Sequence, residues 1–305
     1  MREELQQGLM AERAGISPKY LYDALGSRLF EAICELPEYY PTRTEAQIMA
    51  RHQQDIATAI GLGVTMIDLG AGNCAKAARL FPVLHPRQYV PVDISGDFLS
   101  QAVNDLRQKF PDIPMHDVAM DFSAELNLPA AVGRDRRLFF YPGSSLGNFA
   151  PEQALEFLRR IRHASEVGEA GGLLIGIDLV KDSKVLDAAY DDELGVTAAF
   201  NLNMLNHVNR LLEADFNPRD WQHHGFFNAE LQRVEMHLEA RRDLQVRWAD
   251  GGRRVFRQHE RIHTENSYKF TPEGFEALLQ QAGFGDCQMW FDERRWFMVC
   301  HARAR

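Results

Sequence analysis

Residues 66–76, MIDLGAGNCAK, hold the chain's most chemically suggestive pattern: an apolar run closing on Asp68 and meeting Gly70, Ala71 and Gly72 at once. Gly70 through Ala75 satisfy the G-x-G-x-x-G/A spacing in which glycines let the backbone approach an adenosine-bearing ligand. Asp93, at the end of QYVPVD, stands where a carboxylate pairs with ribose hydroxyls. A dinucleotide and S-adenosylmethionine (SAM) both fit that spacing. Asp68 favours SAM, because its carboxylate can hold the ammonium of a methionine moiety but would repel a pyrophosphate. Asp121 and Phe122 close a third apolar run, offering a carboxylate for an adenine amino group and a ring to pack beside it. Taken singly, each of these features also belongs to ordinary strand-to-helix turns and solvated strand ends.

The elements that must present these groups follow from hydrophobic periodicity. The runs VTMIDLG, QYVPVDI, IPMHDVAMDF, RRLFFYPGS and GGLLIGIDLV are separated by helical segments, among them EQALEFLRRIRHASEV, which predicts βαβ units and a parallel sheet with ligands at the strand ends. Ahead of them, residues 1–60 read as helical. TRTEAQIMARHQQDIATAIG is the clearest helix, with Thr42 or Thr44 as its cap, and Pro37 and Pro41 stiffen a loop carrying Tyr39 and Tyr40. After Asp178 the alternation lapses. LDAAYDDELGVTAAFNLNMLNHVNRLL predicts a helix, and LQRVEMHLEARRDLQVRW and RRVFRQHERIHTENSYKF predict strands about the turn ADGG, so an inserted lobe is expected. TPEGFEALLQQAG then predicts a capped helix and CQMWFDERRWFMVCHAR two closing strands joined through DERR.

Composition narrows the function. Hydrophobic residues at 45% and charged residues at 25% suit a soluble globular chain, and no apolar stretch approaches the roughly 18 residues of a membrane helix. The N-terminal MREELQQGLMAERAG lacks the apolar core of a secretory signal. Cys34, Cys74, Cys287 and Cys300 form no CxxC pair, which predicts reduced thiols without zinc or disulfides. Adjacent His223 and His224 cannot easily share one ion and are read as surface or structural. A net charge of −9 opposes binding to a phosphate backbone. The expectation is a cytoplasmic monomer acting on a small molecule, with no nucleic acid, membrane or metal.

The segments KYLYDALGSRLFEAICELPEYYPTRTEAQI, IDLGAGNCAKA, FYPGSSLGNF, DLVKDSKVLDAAYDDELGVTAAFN and TENSYKF, in this order over nearly the whole chain, resemble the SAM-dependent L-histidine Nα-methyltransferases of ergothioneine biosynthesis. The resemblance implies an α/β fold: a Rossmann-like class I methyltransferase core with a second, α+β substrate-binding lobe. Residues 1–45 and 181–268 would form that lobe, and 46–180 with 269–305 the SAM-binding core. It also implies trimethylation of the α-amino group of L-histidine to hercynine, with S-adenosylhomocysteine as product. Carried over by motif, Gly70, Lys76, Asp93, Asp121 and Phe122 would serve the cofactor, together with Asp68 and Gly72 as read above from the residues. Tyr39, Glu265 and Ser267 would hold the imidazole, and Asn148 and Tyr190 the carboxylate. Gly143 and Tyr22 would lie near the amino group, Tyr22 and Tyr39 acting in catalysis, and Met236 would shape the ring pocket.

The residues allow an independent check. Glu265 and Ser267 are two apart on a predicted strand, so both face one side and could grip one ring nitrogen. The plainer alternatives make Glu265 a solvated carboxylate beside His263 and Lys269, Tyr39 and Tyr190 core tyrosines, and Asn148 the cap of the helix at PEQALEF. Other functions remain open on residues alone: a relative methylating tryptophan or a histidine derivative, an NAD-dependent oxidoreductase, or a SAM-binding regulatory protein.

Overall fold

The computed structural model describes residues 1–94, 96–165 and 171–305. In chain order the elements are α1 (Arg2–Met10), α2 (Ala24–Glu35), α3 (Tyr40–Arg51), α4 (Gln53–Ile60), β1 (Thr65–Leu69), α5 (Ala75–Ala78), α6 (Phe81–Leu84), β2 (Gln88–Asp93), α7 (Gly96–Lys109), β3 (Val118–Ala119), β4 (Arg137–Tyr141), α8 (Pro151–Ala164) and β5 (Gly172–Asp178). There follow α9 (Ser183–Tyr190), α10 (Val196–Leu212), β6 (Trp221–Asn228), β7 (Arg233–Ala240), β8 (Leu244–Arg247), β9 (Arg253–Phe256), β10 (Arg261–Tyr268), α11 (Pro272–Ala282), β11 (Phe284–Phe291) and β12 (Phe297–Ala304). The chain divides into two compact units, Met1–Tyr40 with Val180–Lys269, and Pro41–Leu179 with Phe270–Arg305.

The second unit is built on a seven-stranded sheet of order β11-β12-β5-β4-β1-β2-β3. Strands β3, β2, β1, β4 and β5 pair in parallel, while β12 and β11 add antiparallel at the β5 edge. All five residues of β1 and all seven of β5 are buried, as expected when both faces of a parallel sheet are covered. One face packs Ile67, Val90 and Phe139 against Phe157 and Leu158 of α8; the other packs Met66, Tyr89 and Phe140 against Ile56 and Ile60 of α4. The order reverses between β1 and β4, so the loops leaving those strands flank the crevice where open α/β sheets bind ligands.

The first unit carries a three-stranded antiparallel sheet, β10-β7-β6, and the hairpin β8-β9. Val234, Met236, Leu238 and Ala240 alternate as the buried face of β7, the side on which α9 and α10 lie. On β10 the register shifts between His263 and Glu265. This bulge at Thr264, whose hydroxyl donates to the Met236 carbonyl at 3.0 Å, turns both Ile262 and Glu265 inward although three positions separate them.

Several local expectations change. Helix α3 starts at Tyr40 with Pro41 in its first turn, so Thr42 and Thr44 lie inside it, and His52 separates it from α4. The stretch read as one helix after Asp178 is two, because Asp192 caps the second with bonds from the Val196 and Thr197 N–H groups at 2.9 and 2.7 Å. IPMHDVAMDF yields only the two-residue β3. WQHHGFFN, unassigned from sequence, is strand β6. The helix at PEQALEF is capped at Ala150, whose N–H donates to Gln153, rather than at Asn148. The last residues of that helix reading, Glu166 and Val167, lie outside the described residues.

Candidate active site

In the second unit, the loop after β1 turns on Gly70 and Gly72, with φ of +71° and +52°, a left-handed region natural to glycine. The Gly70 and Ala71 N–H groups donate to the Val92 carbonyl, and the Gly72 N–H donates to Asp93 Oδ2 at 3.0 Å, which fixes the loop against the end of β2. Open space surrounds Gly72, and the Phe122 ring lies beside Gly70. Phe122 in turn meets Tyr141 edge-on at 5.9 Å. Asp121 is half-buried and accepts from the Ser123 N–H at 3.1 Å. Asp68 is buried. Its Oδ2 accepts from the Tyr89 hydroxyl at 2.8 Å, while Oδ1 has no partner. Burial raises the Asp68 carboxyl to about 7, against the opposing pull of Tyr89 and Lys76. These residues fit SAM. The unpartnered carboxylate oxygen answers an ammonium, the glycine turn leaves room for backbone approach, and the acidic strand end and the ring suit the ribose and the adenine.

Glu45, the last residue of EYYPTRTE, was missed as a site residue. Its side chain is 1% exposed, and it accepts from Lys76 Nζ and from the Gly143 N–H, both at 2.7 Å. It ties the loop after β4 to the glycine loop, and its carboxylate occupies the space that a side chain on Gly176 would fill. Gly143, with φ +81°, sits beside Lys76 Nζ, and Asn148 ends a 3-10 turn, half-buried. Glu45→Ala should destabilise the protein by about 1–2 kcal/mol in urea unfolding, since it removes the acceptor of a half-buried N–H and the partner of a half-exposed ammonium. A loss under ~0.5 kcal/mol would mean the bridge is dispensable.

In the first unit, Tyr22, Phe30, Ile33, Tyr39, Ala189, Tyr190, Thr197, Phe200, Met236 and Glu265 line one small, partly open cavity. Tyr22 meets Phe30 and Phe200 edge-on at 5.5 Å each, and Tyr39 meets Tyr190 edge-on at 6.2 Å. Burial, then the Tyr190 hydroxyl, holds the Tyr39 phenol well above its usual range, so Tyr39 stays protonated. Phe30, Phe200 and Thr197 carried no sequence signal beyond helical spacing.

Glu265 is buried, contrary to its plainer reading as a solvated carboxylate, and its Oε2 has no partner. Burial lifts its carboxyl to about 7, and Lys269 opposes this. Ser267 shares its face of β10 and bonds the Tyr190 hydroxyl at 2.8 Å. Because the folded carboxyl titrates higher than in the unfolded chain, it favours folding below the unfolded value and loses that contribution as pH rises through about 7. Glu265→Gln should therefore gain relative stability between pH 5 and pH 8.5, up to ~3 kcal/mol. Paired urea titrations at the two pH values check this, and a pH-independent difference contradicts it.

His223 is structural. Its Nδ1 meets Asn201 at 2.9 Å and its Nε2 the Tyr190 carbonyl at 2.8 Å. Among the described residues, Glu235, His237 and His263 place ligand atoms within 4.8 Å of one another, on the sheet face opposite Met236. Glu235 already spends Oε1 on Arg233 and Asn228 and Oε2 on His237, so a cation there would have to displace existing bonds.

A model of the family described as "Histidine-specific methyltransferase, SAM-dependent" matches residues 1–304. The histidine N-alpha-methyltransferase of Mycolicibacterium smegmatis is 39% identical over 96% of this chain and 91% of its own length; that of Mycobacterium tuberculosis is 37% identical over the same shares. An Aspergillus fumigatus N-methyltransferase, fsqC, is 29% identical over 93% of this chain and 78% of its own. The PH0226 protein of Pyrococcus horikoshii OT3 has a TM-score of 0.51 at 13% identity, covering 93% of this chain and 100% of that one, a likeness of fold alone. The chain belongs to the SAM-dependent, histidine-specific methyltransferase family.

Proposed function

We propose that this enzyme trimethylates the α-amino group of L-histidine to hercynine in ergothioneine biosynthesis, releasing S-adenosylhomocysteine, and that it does so as a cytoplasmic monomer. The observation that carries the substrate is Glu265: a buried carboxylate with an unpartnered oxygen, the one carboxylate in a cavity lined otherwise by rings, apolar groups and the Thr197 hydroxyl. An imidazole N–H satisfies that oxygen; an aliphatic side chain leaves it stranded. Among the described residues, no helix is long and apolar enough to cross a membrane.

SAM, when bound, supplies a sulfonium-activated methyl group for in-line displacement. In this reading Asp68 holds its ammonium, Asp93 its ribose, Asp121 and Phe122 its adenine, and Gly70, Gly72 and Lys76 complete the cradle. Tyr39, Glu265 and Ser267 hold the imidazole, Tyr190 and Asn148 the carboxylate, and Met236 shapes the ring pocket. Tyr22 and Gly143 are the residues that the family motifs assign to the amine. The tyrosines contribute position rather than basicity, because Tyr39 keeps its proton and cannot take one from the amine. The amine reaches the reactive state by losing its proton to water. Ring faces tolerate a nitrogen that gains methyl groups and loses hydrogen-bond donors better than a fixed carboxylate pair would.

Incubation with histidine and SAM followed by product mass is the decisive experiment. A gain of three methyl groups is expected, and equal or better turnover of tryptophan overturns the substrate assignment. Tryptophan, or a histidine derivative, is the second reading, favoured by Met236 lining the cavity next to Glu265.

A further inference from the structure

Lys269 is a charged residue buried beside the cavity with no role in the assignments above. It is 3% exposed, and it acts on the Glu265 carboxyl as a cation. Its Nζ donates to Ser267 Oγ at 2.8 Å and to the Tyr190 hydroxyl at 3.0 Å, and it lies 4.7 Å from the Tyr190 ring centroid. Its backbone is anchored as well, the N–H donating to the Gln232 carbonyl at 2.8 Å.

We propose that Lys269 is a positioning residue for substrate recognition: its ammonium fills the acceptor sites of Ser267 and Tyr190, so that a hydroxyl of this pair is presented to the ligand as a donor beside the acceptor Glu265. The inference rests on the histidine-pocket reading above. An ammonium has three hydrogens and no lone pair, so it can only donate. Both oxygens must therefore accept from it. Tyr190 and Ser267 also bond each other, which uses one of their two hydroxyl hydrogens. Where Tyr190 is the donor, the Ser267 hydrogen is left for the ligand on the strand face it shares with Glu265, and the substrate carboxylate then takes its hydrogen bond from Asn148 rather than from the Tyr190 hydroxyl. An acceptor and a donor side by side match a neutral imidazole, which has one N–H and one bare nitrogen; an imidazolium offers two donors and would leave the hydroxyl opposed.

The same ammonium acts on Glu265. The titratable groups about Glu265 are Tyr22 and Tyr39, with Cys34 near Tyr39, then Tyr190 and Lys269, and among these only Lys269 is a cation. Lys269 is what opposes the upward push of burial on the Glu265 carboxyl, so without it the proton stays to higher pH. A protonated Glu265 no longer offers the charged acceptor.

The test measures histidine affinity by calorimetry in the presence of S-adenosylhomocysteine from pH 5.5 to 9, in the full chain and in Lys269→Met, Lys269→Gln and Lys269→Arg. At pH 8, Lys269→Met should weaken histidine binding about 10- to 100-fold, with S-adenosylhomocysteine affinity changed less than about twofold. The midpoint of acid-side loss of binding should rise by about one pH unit. The substrate ring titrates identically in every measurement, so a displaced midpoint belongs to the protein. Lys269→Arg, which keeps the charge, should leave the midpoint in place. If Lys269→Met does not fold, the Gln and Arg variants give the same comparison. An unmoved midpoint in the neutral variants, whatever the loss of affinity, reduces Lys269 to a structural residue and overturns the proposal. Ser267→Ala separates the two levels: unchanged histidine affinity there means that the pocket assignment itself is wrong, whereas a loss there with normal binding in Lys269→Met rejects only the role of the lysine.

Discussion

Glu265→Ala is expected to raise the KM for histidine by about 30- to 900-fold while SAM affinity stays within about twofold, because a charge-assisted bond lost in a buried site costs about 2–4 kcal/mol. The reason lies in the orphaned oxygen. In the free protein, Glu265 Oε2 lacks a partner and burial already resists its charge, so the cost of desolvating the carboxylate is met during folding rather than on binding. What remains for the ligand is the gain. Steady-state kinetics with histidine varied at saturating SAM, beside calorimetric titration of SAM, separate the two affinities. Equal losses in both would show that Glu265 supports the protein at large rather than the substrate.

The second large effect concerns the donor. Asp93→Ala should weaken SAM binding by about 100-fold, since it removes the acceptor of the Gly72 N–H at 3.0 Å together with the carboxylate assigned to the ribose hydroxyls. Asp93→Asn divides these contributions. An amide oxygen can still accept from Gly72 and hold the loop, so its affinity should fall between wild type and alanine. If Asn and Ala behaved alike, the charge toward the ligand would dominate; if Asn matched wild type, loop support would be the whole effect. The cavity of the first unit is made of other residues, and tyrosine and tryptophan fluorescence should show the fold intact in both variants.

Much of this was legible because the second unit obeys strong local rules. Apolar runs buried on both faces, followed by Gly70 and Gly72 and then by acidic strand ends, announce a parallel sheet and its ligand edge without tertiary information. The short β3 and the capped break at Asp192 were harder, since each depends on one or two hydrogen bonds rather than on periodicity. Glu45 was invisible for another reason. A glutamate in the first half of a helix looks solvent-facing until Gly143 and Lys76, far away in sequence, are found to surround it. Lys269 was read only as a neighbour of a solvated Glu265, because a lysine next to a strand end is usually exposed.

The slip in pairing at Thr264 has a wider consequence. Strict alternation back from Ser267 would have put His263 and Arg261 on the cavity side and Ile262 outside; the extra residue gives the strand two phases, one devoted to packing under Ile262 and one to ligand chemistry at Glu265 and Ser267. Because Thr264 anchors the change of phase to the Met236 carbonyl, side chains in the second phase can be exchanged without disturbing the first. A scaffold of that kind can acquire a different amino-acid preference through a few substitutions on one strand and its neighbour, while the weave of the sheet stays as it is.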